Sequence, residues 1–80
     1  MSQTLQTVAV IGAGTMGAGI AEVAAAAGHP VLLYDIAAEA LTRAVEGIRQ
    51  RLAARVARGK LTADQADALV ARLVPVTELA

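Results

Sequence analysis

Three glycines and one aspartate carry the clearest chemical signal in the chain. Gly12, Gly14 and Gly17 follow the apolar run at residues 7–11 in a G-x-G-x-x-G pattern. Such a turn opens a helix whose unpaired amides and positive dipole end face a phosphate group. Asp35 ends the next apolar run, 18 positions after Gly17, where a carboxylate can accept hydrogen bonds from ribose hydroxyls. These residues predict a site for a dinucleotide with a linking diphosphate.

Each glycine has its own task in such a turn. Gly12 lets the chain leave the strand sharply, where a side chain would clash, and Gly14 lets the backbone approach a pyrophosphate closely. Gly17 removes bulk where the helix packs on the strand. The predicted cofactor contacts are Asp35 and the whole glycine segment: Gly12, Ala13, Gly14, Thr15, Met16 and Gly17.

The residue types around the turn narrow the choice of ligand. The segment has no lysine and no G-K-S/T sequence, so it differs from the phosphate loop of nucleoside triphosphatases. The Asp35 carboxylate would repel a 2′-phosphate, which favours NAD over NADP. The alternative is an accidental run of glycines with Asp35 merely beginning a turn. That alternative requires strand, turn, helix, strand and acid to coincide.

Composition excludes several classes of protein and site. The 80 residues are 56% hydrophobic but carry no net charge, so no overall field favours nucleic acid or an anionic membrane. The lack of cysteine excludes thiolate metal sites and disulfides. Residues 1–7 lack the basic start of a signal peptide, and glycines and a glutamate interrupt the longest apolar stretch. We expect a cytoplasmic protein without metal, nucleic-acid or membrane partners.

The apolar pattern predicts an α/β fold. Residues 7–11 form a continuous apolar run that is typical of a parallel strand buried on both faces, and residues 31–34 form the second strand. The helix between them covers about 15–27, has Glu22 as its one charge, and ends at Gly28.

The connection after the second strand is long enough for two helices. The first, at about 38–58, buries one face and ends at Gly59; the second begins with a Thr62–Gln65 capping box. The buried face of the first helix comprises Leu41, Val45, Ile48, Leu52 and Val56. Pro75 is expected to stop the second helix, and residues 74–77 to lead into a third strand.

These elements predict a Rossmann-type βαβ unit with a two-helix crossover, within an incomplete doubly wound parallel sheet. A doubly wound domain needs about 100 to 200 residues. We therefore expect residues 1–80 to be the N-terminal portion of a longer NAD-binding domain.

Taken together, the motifs resemble the start of the 3-hydroxyacyl-CoA dehydrogenases, including the bacterial 3-hydroxybutyryl-CoA type. The resemblance covers nearly all of residues 7–80 and is carried by residues 10–21, 28–29, 33–35 and the hinge at 58–61. It implies NAD-dependent oxidation of (3S)-3-hydroxyacyl-CoA to 3-oxoacyl-CoA by hydride transfer, in fatty-acid or aromatic-acid breakdown.

The resemblance places the catalytic residues outside this chain. In the family a helical domain completes the site and forms the dimer, and the catalytic His–Glu pair, serine and asparagine lie beyond residue 80. No catalytic residue is expected here, and His29 is interpreted as a turn residue. The implied full-length protein is a homodimer, and the 80-residue chain alone is expected to be inactive.

The family's helical pair also contacts CoA, which makes three arginines candidates for substrate binding. Arg51, Arg55 and Arg58 lie at i, i+4 and i+7 on one helix face. Guanidinium groups suit phosphate oxygens, and by resemblance Arg51 and Arg58 match positions that contact CoA. The alternative is a solvated basic face near a helix C-terminus.

Two other functions stay open. A dehydrogenase of small free 3-hydroxy acids shares the glycine segment, although it normally has one short helix after the acid. A non-catalytic NAD-sensing module would also lack catalytic groups.

The chain departs from the family pattern at Ala37–Ala38, where relatives commonly place serine and proline. The missing cap predicts a loss of about 1 kcal/mol of helix stability.

Overall fold

The computed structural model describes residues 6–77, which alternate strands and helices in the predicted order. Residues 1–5, on which part of the signal-peptide argument rests, and residues 78–80 lie outside this range. The elements are β1 (Val8–Ile11), α1 (Thr15–Ala26), β2 (Val31–Tyr34), α2 (Ala38–Ala57), α3 (Ala63–Ala71) and β3 (Leu73–Val76). The predicted βαβ unit and its two-helix crossover are both confirmed.

The sheet consists of three parallel strands in the order β1-β2-β3. Val10 pairs with Leu33, and Leu33 pairs with Pro75. The expectation that Pro75 stops the preceding helix is wrong, because α3 already ends at Ala71 and Pro75 lies inside β3. A proline is tolerated there because β3 is an edge strand of this sheet, where a missing N–H need not break a ladder.

The helices cover one face of the sheet within residues 6–77. Val10, Val31, Leu33 and Leu73 are buried on that face, whereas Ile11 on the other face is 65% exposed. Within residues 6–77, the first strand is therefore buried on one face and exposed on the other. Successive right-handed crossovers between strands added in one direction place their helices on the same side.

The helix ends follow the predicted glycine and capping signals. Gly28 and Gly59, which follow α1 and α2, have φ angles of 99° and 73°, the left-handed conformation that favours glycine. Thr62 accepts a hydrogen bond from the Gln65 amide at 3.1 Å, and the Gln65 side chain accepts one from the Thr62 amide at 3.0 Å. The capping box is thus confirmed.

The buried face of α2 differs slightly from the predicted one. Leu41, Ala44, Ile48 and Leu52 are buried, while Val45 and Val56 are only half-buried. Ala44 lies one turn from Leu41 and from Ile48 on the same buried face of α2. No helix in residues 6–77 is long and apolar enough to cross a membrane.

Candidate functional site

The glycine turn begins where β1 ends at the carboxyl edge of the sheet. Gly12 has a φ of 94°, and its amide donates to the Tyr34 carbonyl at 2.8 Å, which ties the turn to the end of β2. A Cβ added to Gly12 would meet nothing within 4 Å. The expected side-chain clash is therefore wrong, and the requirement for glycine comes from the positive φ.

Gly17 is the position at which a side chain does not fit. A Cβ there would lie 1.8 Å from the Gly12 carbonyl oxygen and 3.5 Å from the Val10 side chain. The first turn of α1 therefore packs directly against the backbone of the glycine turn. This close packing confirms the predicted structural role of Gly17 and fixes the direction in which α1 starts.

Gly14 is the N-cap of α1 and faces open space. Its backbone is extended, with φ −69° and ψ −175°, and an added Cβ would meet nothing within 4 Å. The first bond of the helix runs from the Ala18 amide to the Gly14 carbonyl at 2.8 Å. The amides of Thr15, Met16 and Gly17 precede that bond and have no acceptor in the helix. This open, amide-rich end suits an anionic group.

Two other residues of the predicted segment behave differently from the glycines. Ala13 is buried, and its amide donates to Asp35 Oδ2 at 2.9 Å. Met16 is 80% exposed on the first turn of α1. The Ala13 amide is thus engaged with Asp35, while Met16 borders the open space in front of the helix.

Asp35 connects the two turns at the carboxyl edge of the sheet. Besides the Ala13 amide, its carboxylate accepts the Ala37 amide through Oδ1 at 2.8 Å. The Ala37 contact belongs to a local turn, but the Ala13 contact spans 22 residues. Asp35 therefore does more than begin a turn. It links the glycine segment to the start of α2.

The same contacts determine the charge of Asp35. The Ala13 amide, then the Ala37 amide, hold the pKa of this carboxyl below its ordinary value, and the positive charge of Arg43 acts in the same direction. Asp35 is therefore an ionised acceptor at neutral pH. Each carboxylate oxygen retains acceptor capacity beyond its backbone bond, which is the chemistry required to receive a pair of hydroxyl groups.

A cavity of about 380 Å³ lies between the start of α1 and the first half of α2. Its lining includes Gly14 and Thr15 from the glycine turn and Arg43, Gly47 and Arg51 from α2. No local motif in the sequence marks Arg43; only the approach of α2 to Asp35 gives it a role. The cavity joins the glycine turn to the helical crossover.

Of the three predicted CoA-binding arginines, the structure brings two together on one partner. Arg51 Nη2 lies 2.8 Å from Glu22 Oε1, and Arg55 Nη2 lies 3.6 Å from Glu22 Oε2. Arg58 is the C-cap of α2. From the sequence, Glu22 was identified only as the one charge on an apolar helix. That isolated charge was the feature from which a partner on another element could have been predicted.

His29 lies away from the glycine turn. It stands before β2, at the amino edge of the sheet, and its Nδ1 is 3.1 Å from the Gln6 carbonyl oxygen. Its position is that of a turn residue, as predicted. In the part of the chain that the structure describes, no group of three or more His, Cys, Asp or Glu side chains could hold a metal ion.

Comparison with known proteins yields matches over nearly the whole chain. Residues 7–80 match the family described as "3-hydroxyacyl-CoA dehydrogenase, NAD binding domain". The chain is 66% identical over 79 residues to 3-hydroxyadipyl-CoA dehydrogenase of Escherichia coli K12, covering 99% of this chain and 17% of the relative. It is 39% identical over 79 residues to 3-hydroxybutyryl-CoA dehydrogenase of Mycobacterium tuberculosis, covering 99% of this chain and 28% of that relative.

A solved structure gives the same result in three dimensions. The crystal structure of 3-hydroxybutyryl-CoA dehydrogenase from Escherichia coli K12 superposes with a TM-score of 0.91 at 66% identity, covering 96% of this chain and 16% of that one. The chain therefore spans less than a third of the length of each of these relatives.

Proposed function

The chain belongs to the 3-hydroxyacyl-CoA dehydrogenase family, whose NAD-binding domain it matches over residues 7–80, and on that premise we propose its function. NAD is the cofactor of this domain. In the proposal, residues 1–80 supply the first part of the NAD-binding domain of an enzyme that oxidises (3S)-3-hydroxyacyl-CoA to 3-oxoacyl-CoA. The remaining part of that domain, the catalytic groups and the helical domain belong to a longer polypeptide.

One observation carries the proposal: the Asp35 carboxylate and the open end of α1 lie at the same edge of the sheet. The Asp35 carboxylate accepts a hydrogen bond from the Ala13 amide at 2.9 Å. Gly14 directly follows Ala13, and a Cβ added to it would meet no atom within 4 Å. A diphosphate beside Gly14 and a ribose beside Asp35 are neighbouring parts of one dinucleotide. The residues present fit that ligand.

We assign the cofactor contacts to residues 12–17 and Asp35, the set that the sequence predicts. The unpaired amides of Thr15, Met16 and Gly17 would hold the diphosphate, and Asp35 would accept the ribose hydroxyls. When bound, NAD accepts a hydride from the substrate carbon. The chain's own contribution is to orient the dinucleotide and, through the negative charge of Asp35, to disfavour a 2′-phosphate.

The proposal gives residues 6–77 no proton-transfer step. His29, the single histidine of the chain, contacts the Gln6 carbonyl at the opposite edge of the sheet from Asp35. Proton abstraction from the 3-hydroxyl is therefore assigned to residues beyond residue 80. The 80-residue chain by itself should orient a cofactor without catalysing turnover.

The α2 face is proposed to meet the phosphates of CoA. Arg51, Arg55 and Arg58 place positive charge along that face, and the first two remain half-exposed while they contact Glu22. Contacts between such exposed charges and phosphate weaken as salt screens them. The affinity for CoA should therefore fall with ionic strength more than the affinity for NAD, which rests largely on backbone amides.

We also propose the acyl length, pathway, oligomeric state and location of the enzyme. The names of the relatives, 3-hydroxyadipyl-CoA and 3-hydroxybutyryl-CoA dehydrogenase, support a short acyl group. Breakdown of fatty acids or aromatic acids is the proposed pathway. A homodimer formed by the helical domain and a cytoplasmic location are part of the same proposal. Light scattering of the full-length gene product measures the oligomeric state.

The deciding experiment is an assay of the full-length gene product for NADH formation. The substrates are (3S)-3-hydroxybutyryl-CoA, 3-hydroxyadipyl-CoA and, as the matched control, free 3-hydroxybutyrate, each with NAD and with NADP. We expect turnover with a CoA thioester and NAD, and none with the free acid. The 80-residue chain, assayed with NADH and acetoacetyl-CoA, should show no turnover above background.

Contrary outcomes separate the alternative functions. Turnover of the free acid would favour a dehydrogenase of small 3-hydroxy acids. NAD binding without turnover of any of these substrates would favour a sensing module. An amide NMR titration of the 80-residue chain tests the residue assignments, because NAD should perturb residues 12–17 and Asp35, and CoA should perturb residues 51–60.

A further inference from the structure

Glu22 is the one charged residue of α1, and its side chain is buried. Its side chain is 10% exposed, and its neighbours along α1 are alanine, glycine and valine. A carboxylate buried in this way is costly unless other charged groups compensate it. Its retention on the helix that begins at the glycine turn therefore requires partners, and α2 supplies them.

The guanidinium groups of Arg51 and Arg55 contact Glu22 but remain partly exposed to solvent. Arg51 directs Nε and Nη2 to the same oxygen, Glu22 Oε1, both at 2.8 Å, while Arg55 reaches Oε2 at 3.6 Å. The Arg51 side chain nevertheless remains 51% exposed and that of Arg55 50% exposed. Glu22 thus fixes the orientation of the two guanidinium groups without covering them.

The remaining nitrogen of Arg51 lies at the cavity beside the glycine turn. Arg51 Nη1 is 3.5 Å from the point where a Cβ on Gly47 would stand, and Gly47 and Arg51 both line that cavity. Arg43 contributes a second guanidinium group to the same lining. Glu22 therefore orients one wall of a cationic cavity of about 380 Å³ that starts at Gly14.

We propose that Glu22 is a positioning residue, which holds Arg51 so that its free guanidinium edge receives a phosphate group of a nucleotide ligand at this cavity. The proposal rests on the proposed function, which supplies two phosphate-bearing ligands, NAD and CoA. A guanidinium group already fixed by Glu22 loses less side-chain freedom when it binds phosphate. Glu22 acts through Arg51 and makes no contact with the ligand itself.

The test measures dissociation constants of the full-length gene product by calorimetry for NAD, CoA and 3′-dephospho-CoA. Glu22→Gln preserves the shape of the side chain and removes its charge. Arg51→Lys keeps the positive charge but lacks the fork that holds Glu22 Oε1 from two nitrogens. We expect each variant to weaken the same one of the two ligands by about 5-fold and the combined variant by about 5- to 10-fold, because two residues that act as one unit are not additive.

The three ligands identify the source of the phosphate. Weakening of CoA but not of 3′-dephospho-CoA assigns the 3′-phosphate to the Arg51 wall, and equal weakening of both CoA forms assigns the CoA diphosphate. Weakening of NAD alone assigns the dinucleotide. Each of these results supports a positioning role for Glu22, provided that Arg51→Lys affects the same ligand.

The matched control is Glu46→Gln, which removes the same charge from an exposed pair. Glu46 lies on α2, 3.8 Å from Arg49, and both side chains are more than half exposed. This variant should leave all three dissociation constants unchanged. It separates the effect of positioning Arg51 from that of removing one negative charge anywhere on the surface.

The outcomes that overturn the proposal are distinct from a failure of the proposed function. Unchanged constants in Glu22→Gln, or equal weakening of NAD and CoA, would show that Glu22 only stabilises the fold. Tighter binding would show that Glu22 competes with the phosphate for Arg51, and effects that multiply in the combined variant would show that the two residues act independently; either result overturns the positioning role. A wild-type protein that binds neither NAD nor CoA would instead refute the proposed function. Thermal unfolding of each variant confirms that the measured protein is folded.

Discussion

The glycine turn and the arginine face of α2 both offer positive partners to phosphate groups, but they are built by different means. At the glycine turn the groups are backbone amides, directed by the φ of Gly12 and by the close approach of Gly17 to the Gly12 carbonyl. On α2 they are the long side chains of Arg51 and Arg55, fixed by a carboxylate on another helix.

This difference indicates how each site can fail. A site made of backbone amides depends on whether the chain can adopt one conformation, so a single added methyl group can destroy it. A site made of charged side chains depends on partners and solvent, so its strength varies with salt and with the loss of one ion-pair partner. The five substitutions below test this contrast, beginning with the largest expected effect.

Gly17→Ala should have the largest effect of the five. The new Cβ would lie 1.8 Å from the Gly12 carbonyl oxygen, so the turn or α1 must shift. We expect a loss of about 3 kcal/mol in the free energy of unfolding, together with loss of NAD binding. Urea unfolding and NAD titration measure the two effects.

Gly14→Ala is the control for that substitution within the same turn. An added Cβ at Gly14 meets no protein atom within 4 Å, so the fold should survive while the Cβ occupies the space proposed for the diphosphate. Weak NAD binding in a folded protein is the expected result. Normal NAD affinity in Gly14→Ala would contradict the assignment of the diphosphate to this position.

Asp35→Asn should change the choice of cofactor. The substitution removes the charge that repels a 2′-phosphate and leaves Arg43 nearby as a positive group. We expect the ratio of NADP to NAD affinity to rise by at least about tenfold, which corresponds to ~1.4 kcal/mol. Calorimetric titration with both cofactors measures the ratio, and an unchanged ratio would remove Asp35 from the ribose site.

The pH dependence of stability provides a second test of Asp35. The Ala13 and Ala37 amides lower its folded-state pKa, so this carboxylate contributes stability above the unfolded pKa of about 3.9. That contribution is lost as the pH falls through the lower folded-state pKa. Acid unfolding of Asp35→Asn should therefore lack this part of the pH dependence seen in the wild-type chain.

Ala37→Ser should stabilise α2 by a smaller amount. Ala37 is the N-cap residue, with φ −94° and ψ 111° and no side-chain cap bond. A serine hydroxyl there could accept a free amide of the first turn and add about 1 kcal/mol to the free energy of unfolding. Thermal unfolding measures the gain; an unchanged midpoint would mean that the Asp35 contact to the Ala37 amide already satisfies this helix start.

Gly47→Ala should have the smallest effect and the opposite sign to Gly17→Ala. Gly47 lies in the middle of α2, where an added Cβ would be in ordinary contact with Arg51 Nη1 at 3.5 Å. Alanine should stabilise the helix by about 0.4–1 kcal/mol. Destabilisation in a urea titration would show that the α2 face is as sterically constrained as the glycine turn.

The glycine turn and the strands beside it could be predicted from the sequence, because each depends on residues that are close together in the chain. The sequence predicted the second strand at residues 31–34, which matches Val31–Tyr34, and placed Gly17 at a close packing point. The sequence-based explanation of Gly12 by a steric clash is wrong, because a positive φ and a steric clash both require glycine and the residue type does not distinguish them. The sequence also missed the Ala13–Asp35 bond, because that bond spans 22 residues and depends on strand pairing.

The helical crossover was only partly readable. Periodicity located α2 and α3, since an amphipathic face has a local pattern, and the Thr62 capping box appears directly in the residue types. The α2 face was slightly misplaced at Ala44 and Val45, because periodicity does not measure how closely neighbouring elements pack on a helix. The partner of the arginines required the packing of α1 on α2.

By itself, the sequence determined the order of elements, the glycine turn and the acid that follows β2, because glycine conformations, helix caps and strand patterns act over a few neighbouring residues. The tertiary structure alone decided that Asp35 binds the glycine segment, that the helices cover one face of the sheet, and that Glu22 holds Arg51. Each of these facts depends on which elements pack together. The energy of burying a charge or pairing a strand arises only when distant residues meet.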